Sequence, residues 1–219
     1  MKEAFLEIYG HIKRPGADKL LAWLESTDFF VAPASTRFHL CRPGGLVEHS
    51  IHVYRRLVNL YVSEYSTPDE VYCPTPDEME TLAIVGLLHD VCKVGVYLQE
   101  PKNQKTYDPE KVAAANPRQV KSDQLGDFVW ETVIGYKFDE QLPYGHGEKS
   151  VYIVSGFMKL TREEAMAIRW RMGYSDNDFK GGGYSVGNAF DKFPLAVMTH
   201  IADLMATHID ESESRGTSA

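Results

Sequence analysis

Residues 82–91 read LAIVGLLHDV. A helix that is apolar on every side can only sit at the centre of a fold, with other elements packed all round it. This one ends on His89-Asp90, an imidazole next to a carboxylate. Both are costly to bury without compensation. The fold must therefore enclose this segment and also bring something to its end that balances the two polar groups. A chain of 219 residues is long enough to build such a core in one domain.

The neighbouring segments supply the walls. Residues 2–12 and 17–26 read as short helices split by the breaker Arg14-Pro15-Gly16, and residues 28–44 read as irregular. Residues 46–65 carry Val47, Ile51, Tyr54, Val58 and Tyr61 at helical spacing, with His49 at the border of the apolar stripe. After a loop at 66–77, the central helix runs over about 77–92, opened by Pro76-Asp77-Glu78. Residues 147–158 read as a helix, and Thr161 followed by Glu164 forms a capping box before AMAIRWRMG. Residues 173–190, with Gly181-Gly182-Gly183, read as a long loop. A last helix spans about 193–209, and 210–219 read as a disordered tail. Residues 96–145 are the least regular stretch. They are expected to form an insertion or lid, with a small β-hairpin within 128–138. The expected fold is an all-α helical bundle: one domain over 1–209 with its core at about 44–95 and 146–209.

The net charge of −8 and the lack of a dense Lys/Arg run count against a stand-alone nucleic-acid binder. Cys41, Cys73 and Cys92 are odd in number and lack metal-site spacing, which suits reduced thiols in a cytoplasmic protein. No apolar run is long enough for a membrane span or signal peptide.

His49 in GGLVEHS, His89 and Asp90 in LLHDVCK, and Asp203 in THIADLMA are two imidazoles and two carboxylates on apolar segments. A divalent cation is the direct compensation for such a set, and Mn, Fe, Co, Ni or Mg suits N/O ligands with open positions. Asp203 has a bland alternative, because His200, Asp203 and Thr207 could form a solvated stripe, and His200 is the local competitor as a ligand.

In order and setting these motifs resemble the H…HD…D pattern of the HD-domain superfamily over roughly residues 44–209, with 96–145 matched least. The resemblance implies an all-α metal-dependent phosphohydrolase whose ion is held by His49, His89, Asp90 and Asp203. It implies hydrolysis of a phosphate ester by metal-activated water. Lys93 resembles the lysine of the HDxxK pattern, which implies contact with substrate phosphate or with a ligand carboxylate. The alternative for Lys93 is a lysine complementing a helix C-terminus. The His146-Gly147-Glu148 that opens a helix also resembles HD domains of 3′→5′ exoribonucleases.

His146, at a helix N-terminus that favours an anion, is the candidate acid/base or phosphate contact. The resemblance also implies that a second ion, where present, would be held by His146 and a further histidine near residue 170. Arg169, Trp170 and Arg171 stand there instead, so one ion is favoured over two, and Arg169 and Arg171 become candidate phosphate ligands. The expected partner is a small phosphorylated substrate of nucleotide type. The alternatives are a 3′→5′ nuclease on single-stranded nucleic acid, a non-catalytic metal-binding sensor, and di-iron chemistry, which needs more histidine ligands than the motifs place at the site.

Overall fold

The central helix starts where Thr75 and Glu78 cap each other. The Thr75 hydroxyl accepts from the Glu78 N–H, and the Glu78 carboxylate accepts from the Thr75 N–H at 2.7 Å. In the computed structural model, which describes residues 1–175 and 179–212 (179–184 by backbone alone), this helix is the fourth in chain order. It is preceded by α1 (Lys2–Tyr9), α2 (Ala17–Ser26) and the long α3 (Gly45–Tyr65), and is itself α4 (Pro76–Leu88). Every residue from Leu82 to Leu88 is buried, as its all-round apolar sequence requires. α3 lies directly against it. Gly86 makes that approach feasible: a Cβ there would fall 2.6 Å from the Tyr54 Cα.

Four more helices complete the wall: α6 (His146–Ser155), α7 (Arg162–Arg169), α8 (Phe179–Lys192) and α9 (Pro194–Met205), with α5 (Pro109–Ala114) lying apart in the insertion. α3 packs on α4 and α9, while α7 packs on α4, α6 and α9. Phe5, Leu20, Phe29, Ile51, Leu57, Ile84 and Ile168 belong to one buried cluster, so the two N-terminal helices share the main core. Among the described residues, no helix is long and apolar enough to cross a membrane.

The expectation of an all-α fold is overturned. The described residues form a helix-rich α/β mixture, 53% helix and 13% strand. β1 (Tyr97–Thr106), β2 (Lys121–Asp123) and β3 (Gly126–Phe138) form an antiparallel sheet in the order β1-β3-β2. The 128–138 segment is not a local hairpin. It is part of one 13-residue strand, paired from Tyr97↔Phe138 to Thr106↔Val129. Its aromatic and β-branched residues at even positions carry a clear strand signal. The partner, YLQEPKNQKT, carries almost none, because it is polar and contains Pro101. That proline is tolerated because β1 is an edge strand.

Two further expectations change. Residues 179–192, expected as part of a loop, form α8 despite the glycine triplet, with Val186 and Ala189 buried. The expected tail starts too early. Residues Ala206–Asp210 continue α9 as a π-helical turn, Asp210 pairs with Arg56, and Glu211 is buried. Residues 213–219 lie outside the described residues.

Candidate metal centre

α3, α4 and α9 deliver four polar side chains to one point. His49 sits one turn into α3 and Asp203 in the last turn of α9. His89 and Asp90 would diverge by about 100° on a continuous helix. They converge because α4 ends between them: His89 is its last helical-conformation residue, and Asp90 takes φ −111°, ψ 15° before a 3₁₀ turn over Val91–Lys93. His49, His89 and Asp90 are completely buried, while Asp203 keeps partial exposure.

The Nε2 atoms of His49 and His89 lie 3.3 Å apart. Asp203 Oδ1 is 3.3 Å from His49 Nε2, and Asp90 Oδ2 is 3.7 Å and 3.8 Å from the two imidazoles. Both rings are anchored from behind. His89 Nδ1 donates to the Gly86 carbonyl at 2.8 Å, and His49 Nδ1 donates to the Glu211 carboxylate at 3.0 Å. In the neutral tautomers this leaves two bare Nε2 lone pairs facing each other, with two carboxylates beside them. Ligands held 2.0–2.2 Å from one ion lie roughly 3–3.5 Å apart, so the set fits a divalent cation. A carboxylate or carbonyl behind each imidazole is also the usual support of a metal-bound histidine. His49, His89 and Asp90 each offer a donor within 4.8 Å of the other two, and Asp203 joins them through His49.

Two cations complete the charge balance. Arg171 is buried and its guanidinium pairs with Asp90 Oδ1 and, at 3.2 Å, with Asp203 Oδ2. Lys93 Nζ lies 2.7 Å from Asp90 Oδ2 and donates to the Ala34 carbonyl. That ion contact is poorly aligned, and Asp90 Oδ2 receives no hydrogen bond among the described residues. Burial alone would raise the Asp90 carboxyl, but Arg171 and Lys93 hold it well below its ordinary range. Burial likewise opposes ionisation of Asp203, and His49 and Arg171 outweigh it. Burial pushes His89 down to about 4 despite Asp90, so it is neutral. Burial also acts to lower His49, yet its hydrogen bonds to Asp203 and Glu211 carry it up to about 9. Without an ion, His49 is therefore the proton carrier of the cluster, and an ion must displace that proton.

The sequence-derived candidates fall into three groups. His49, Asp90, Asp203, Lys93, His146 and Arg171 all line one cavity of about 510 Å³, with His89 beneath its floor. His146 is the first residue of α6, its Nδ1 3.7 Å from Cys92 Sγ. Arg171 reaches the centre because α7 stops at Arg169 and the chain turns inward. Its guanidinium is engaged with the two carboxylates rather than presented to a phosphate. Arg169 pairs with Glu148 at 2.9 Å, stacks on Trp170, and is not among the described residues that line the cavity. His200 also lines the cavity, with its Nδ1 donating to the Arg171 carbonyl at 2.6 Å, but it lies outside the cluster of His49, His89 and Asp90.

Sequence reasoning missed Glu211, His52, His39 and Cys92. Glu211 accepts from both His49 and His52 Nδ1, the latter at 2.9 Å, and lies 3.9 Å from His39 Nε2. His49 and His52, three apart on one helix, were the only hint of a shared partner. Nothing in the sequence pointed to Glu211, eight residues past Asp203, because the π turn that swings it inward has no composition signature. Comparison with protein-family profiles, curated proteins and solved structures gave no match to this chain.

Proposed function

We propose that this protein is a metal-dependent phosphohydrolase that cleaves a phosphate ester of a nucleotide or similar small molecule, with His49, His89, Asp90 and Asp203 holding one divalent ion. The observation that carries the reading is the pair of back-anchored imidazoles, 3.3 Å apart, flanked by two carboxylates at the base of a 510 Å³ cavity. The order of those residues, which resembles the HD-domain pattern, supports it further. Three free cysteines are consistent with a reducing cytoplasm.

A bound ion would supply Lewis-acid polarisation of a phosphoryl oxygen and activation of a water. The chain's own groups do the rest. Glu211 and the Gly86 carbonyl fix the two imidazole tautomers so that Nε2 faces the centre. Lys93 and Arg171 hold the two carboxylates ionised and in place. His146, on the cavity wall at the start of α6, is the group positioned to give a proton to the leaving oxygen. A nuclease reading is weaker, because the only Lys or Arg side chains among the described lining residues are Lys93 and Arg171, both already paired.

Arg171 favours one competing reading. A guanidinium bridging Asp90 and Asp203 already neutralises them, as in a metal-free structural core. Elemental analysis of the purified chain, combined with turnover of a phosphate-ester panel under Mn, Co and Ni, separates the two. The hydrolase reading expects about one bound ion per chain and a loss of at least about 100-fold in kcat for Asp90→Asn. Absence of any bound metal, or full activity in Asp90→Asn, refutes it.

A further inference from the structure

We infer that the substrate is a phosphate monoester with a single phosphoryl group and a flat aromatic body of nucleoside size, whose ring rests against Phe38 and Phe138 at the mouth of the cavity. This deepens the phosphohydrolase reading and rests on it for the position of the phosphate.

Three observations converge. The first is charge. A phosphate monoester carries about −1.5 to −2 near neutrality. One divalent ion meets that. Each further phosphoryl group adds negative charge, and the described cavity lining has no cation left for it: Lys93 is spent on Asp90 and the Ala34 carbonyl, and Arg171 on Asp90 and Asp203. A triphosphate site needs the opposite, a lysine or arginine for the outer phosphates.

The second is the pair of exposed aromatic rings. Phe38 is 72% exposed and Phe138 43%, and both line this cavity. They come from unrelated parts of the fold, the 28–44 loop and the last residue of β3. At Phe38 the backbone is tied down and Arg37 lies 5.2 Å from the ring, whereas at Phe138 the ring itself is packed. The Ser35 hydroxyl accepts from the Phe38 N–H at 2.9 Å and donates to the His39 carbonyl at 2.8 Å, which closes the loop around Phe38. The loop also holds Leu40 at φ 44°, a left-handed conformation that costs free energy for a residue with a side chain. Phe138 is packed edge-on against Tyr97 at 6.0 Å and lies 6.3 Å from the His146 ring. Water-exposed aromatic rings beside a polar floor offer surface for a stacked ring.

The third is size. A cavity of about 510 Å³ has room for a ring and a sugar beside a phosphate.

The test is titration calorimetry of the full chain at a fixed free Mn²⁺ concentration, with adenosine 5′-monophosphate, adenosine 5′-triphosphate and ribose 5-phosphate as probes. The monophosphate should bind roughly 5- to 100-fold tighter than ribose 5-phosphate, the usual worth of base–aromatic stacking. The triphosphate should bind no tighter than the monophosphate. Phe38→Ala should cut the preference for the monophosphate over ribose 5-phosphate by about tenfold, with Phe138→Leu acting in the same direction. Phe38 is mostly in solvent, so its removal leaves the core intact. Equal binding of ribose 5-phosphate, tighter binding of the triphosphate, an unchanged preference in Phe38→Ala, or no binding of the monophosphate each overturns the inference. Hydrolysis with a triphosphate preference would sink this inference and leave the hydrolase reading standing. Binding in the expected order with no hydrolysis of any ester would sink the hydrolase reading and leave the monophosphate as a ligand of this cavity, not its substrate.

Discussion

Replacing Glu211 by Gln removes one negative charge from a side chain with no solvent exposure. In the folded protein that carboxyl lies at about 2 instead of 4.5: burial would raise it, but the N–H groups of His49 and His52 more than offset this. The drop corresponds to ~3 kcal/mol. The rise of His49 from 6.5 to about 9 is mainly owed to Asp203 and Glu211, so it is partly the same interaction seen from its other end and is not added. The two signs define a window. Glu211, with its folded pKa depressed, contributes above about pH 4.5 and loses its contribution as pH falls through about 2. His49, with its folded pKa raised, contributes below about pH 6.5 and loses its contribution as pH rises through about 9. The pair is therefore fully formed between about pH 4.5 and 6.5. Urea denaturation in the presence of a chelator, from about pH 4.5 to 9.5, should show Glu211→Gln costing about 3 kcal/mol near pH 5.5, shrinking toward about 1 kcal/mol by pH 9.5 as only a neutral hydrogen bond is lost. A cost under about 0.5 kcal/mol near pH 5.5, or one that stays constant across the range, would refute the assignment of Glu211 as the counter-charge of His49.

Arg171→Met should destabilise the metal-free protein by about 3–5 kcal/mol, because Asp90 and Asp203 lose their shared buried cation. Saturating Mn²⁺ should then raise the melting temperature of the variant more than that of the parent; equal shifts would mean that ion and guanidinium do not serve the same carboxylates. Gly86→Ala places a Cβ 2.6 Å from the Tyr54 Cα and must push α3 from α4. Overpacking of about 3 kcal/mol, less about 1 kcal/mol of helix propensity regained, predicts a net loss of about 2 kcal/mol in denaturant unfolding. A net gain would mean that the two helices are not in that close contact.

Much of the helical scaffold was legible in the sequence. The all-round apolar run ending at Leu88 has one stable placement, at the centre, and the stripe of α3 has one face to bury. The cap at Thr161 is a local hydrogen-bonding pattern, so it too could be read directly, while the start of α4 was read from Pro76-Asp77-Glu78 and its Thr75 cap came with the structure. The sheet was half legible. β3 announces itself by alternation, while β1 is polar and becomes a strand only because β3 pairs with it. The glycine triplet misled in the other direction: local propensity favoured a loop, and packing against α9 carries a helix through it.

At the candidate site, the sequence by itself determined that His89 and Asp90, at the end of an all-round apolar helix, had to be compensated, and it offered His49 and Asp203 as partners while leaving Asp203 open to a solvated stripe. Tertiary structure decided the rest, because electrostatic compensation depends on distances across the chain. It ended α4 between His89 and Asp90, so that adjacent residues face one point. It ended α7 at Arg169, so that Arg171 turned inward to both carboxylates while Arg169 turned away to Glu148. A π turn brought Glu211 back over His49 from a position 162 residues along the chain. Hydrophobic periodicity acts between near neighbours and is written in the sequence; the pairing of buried charges is settled only when the helices that carry them are packed.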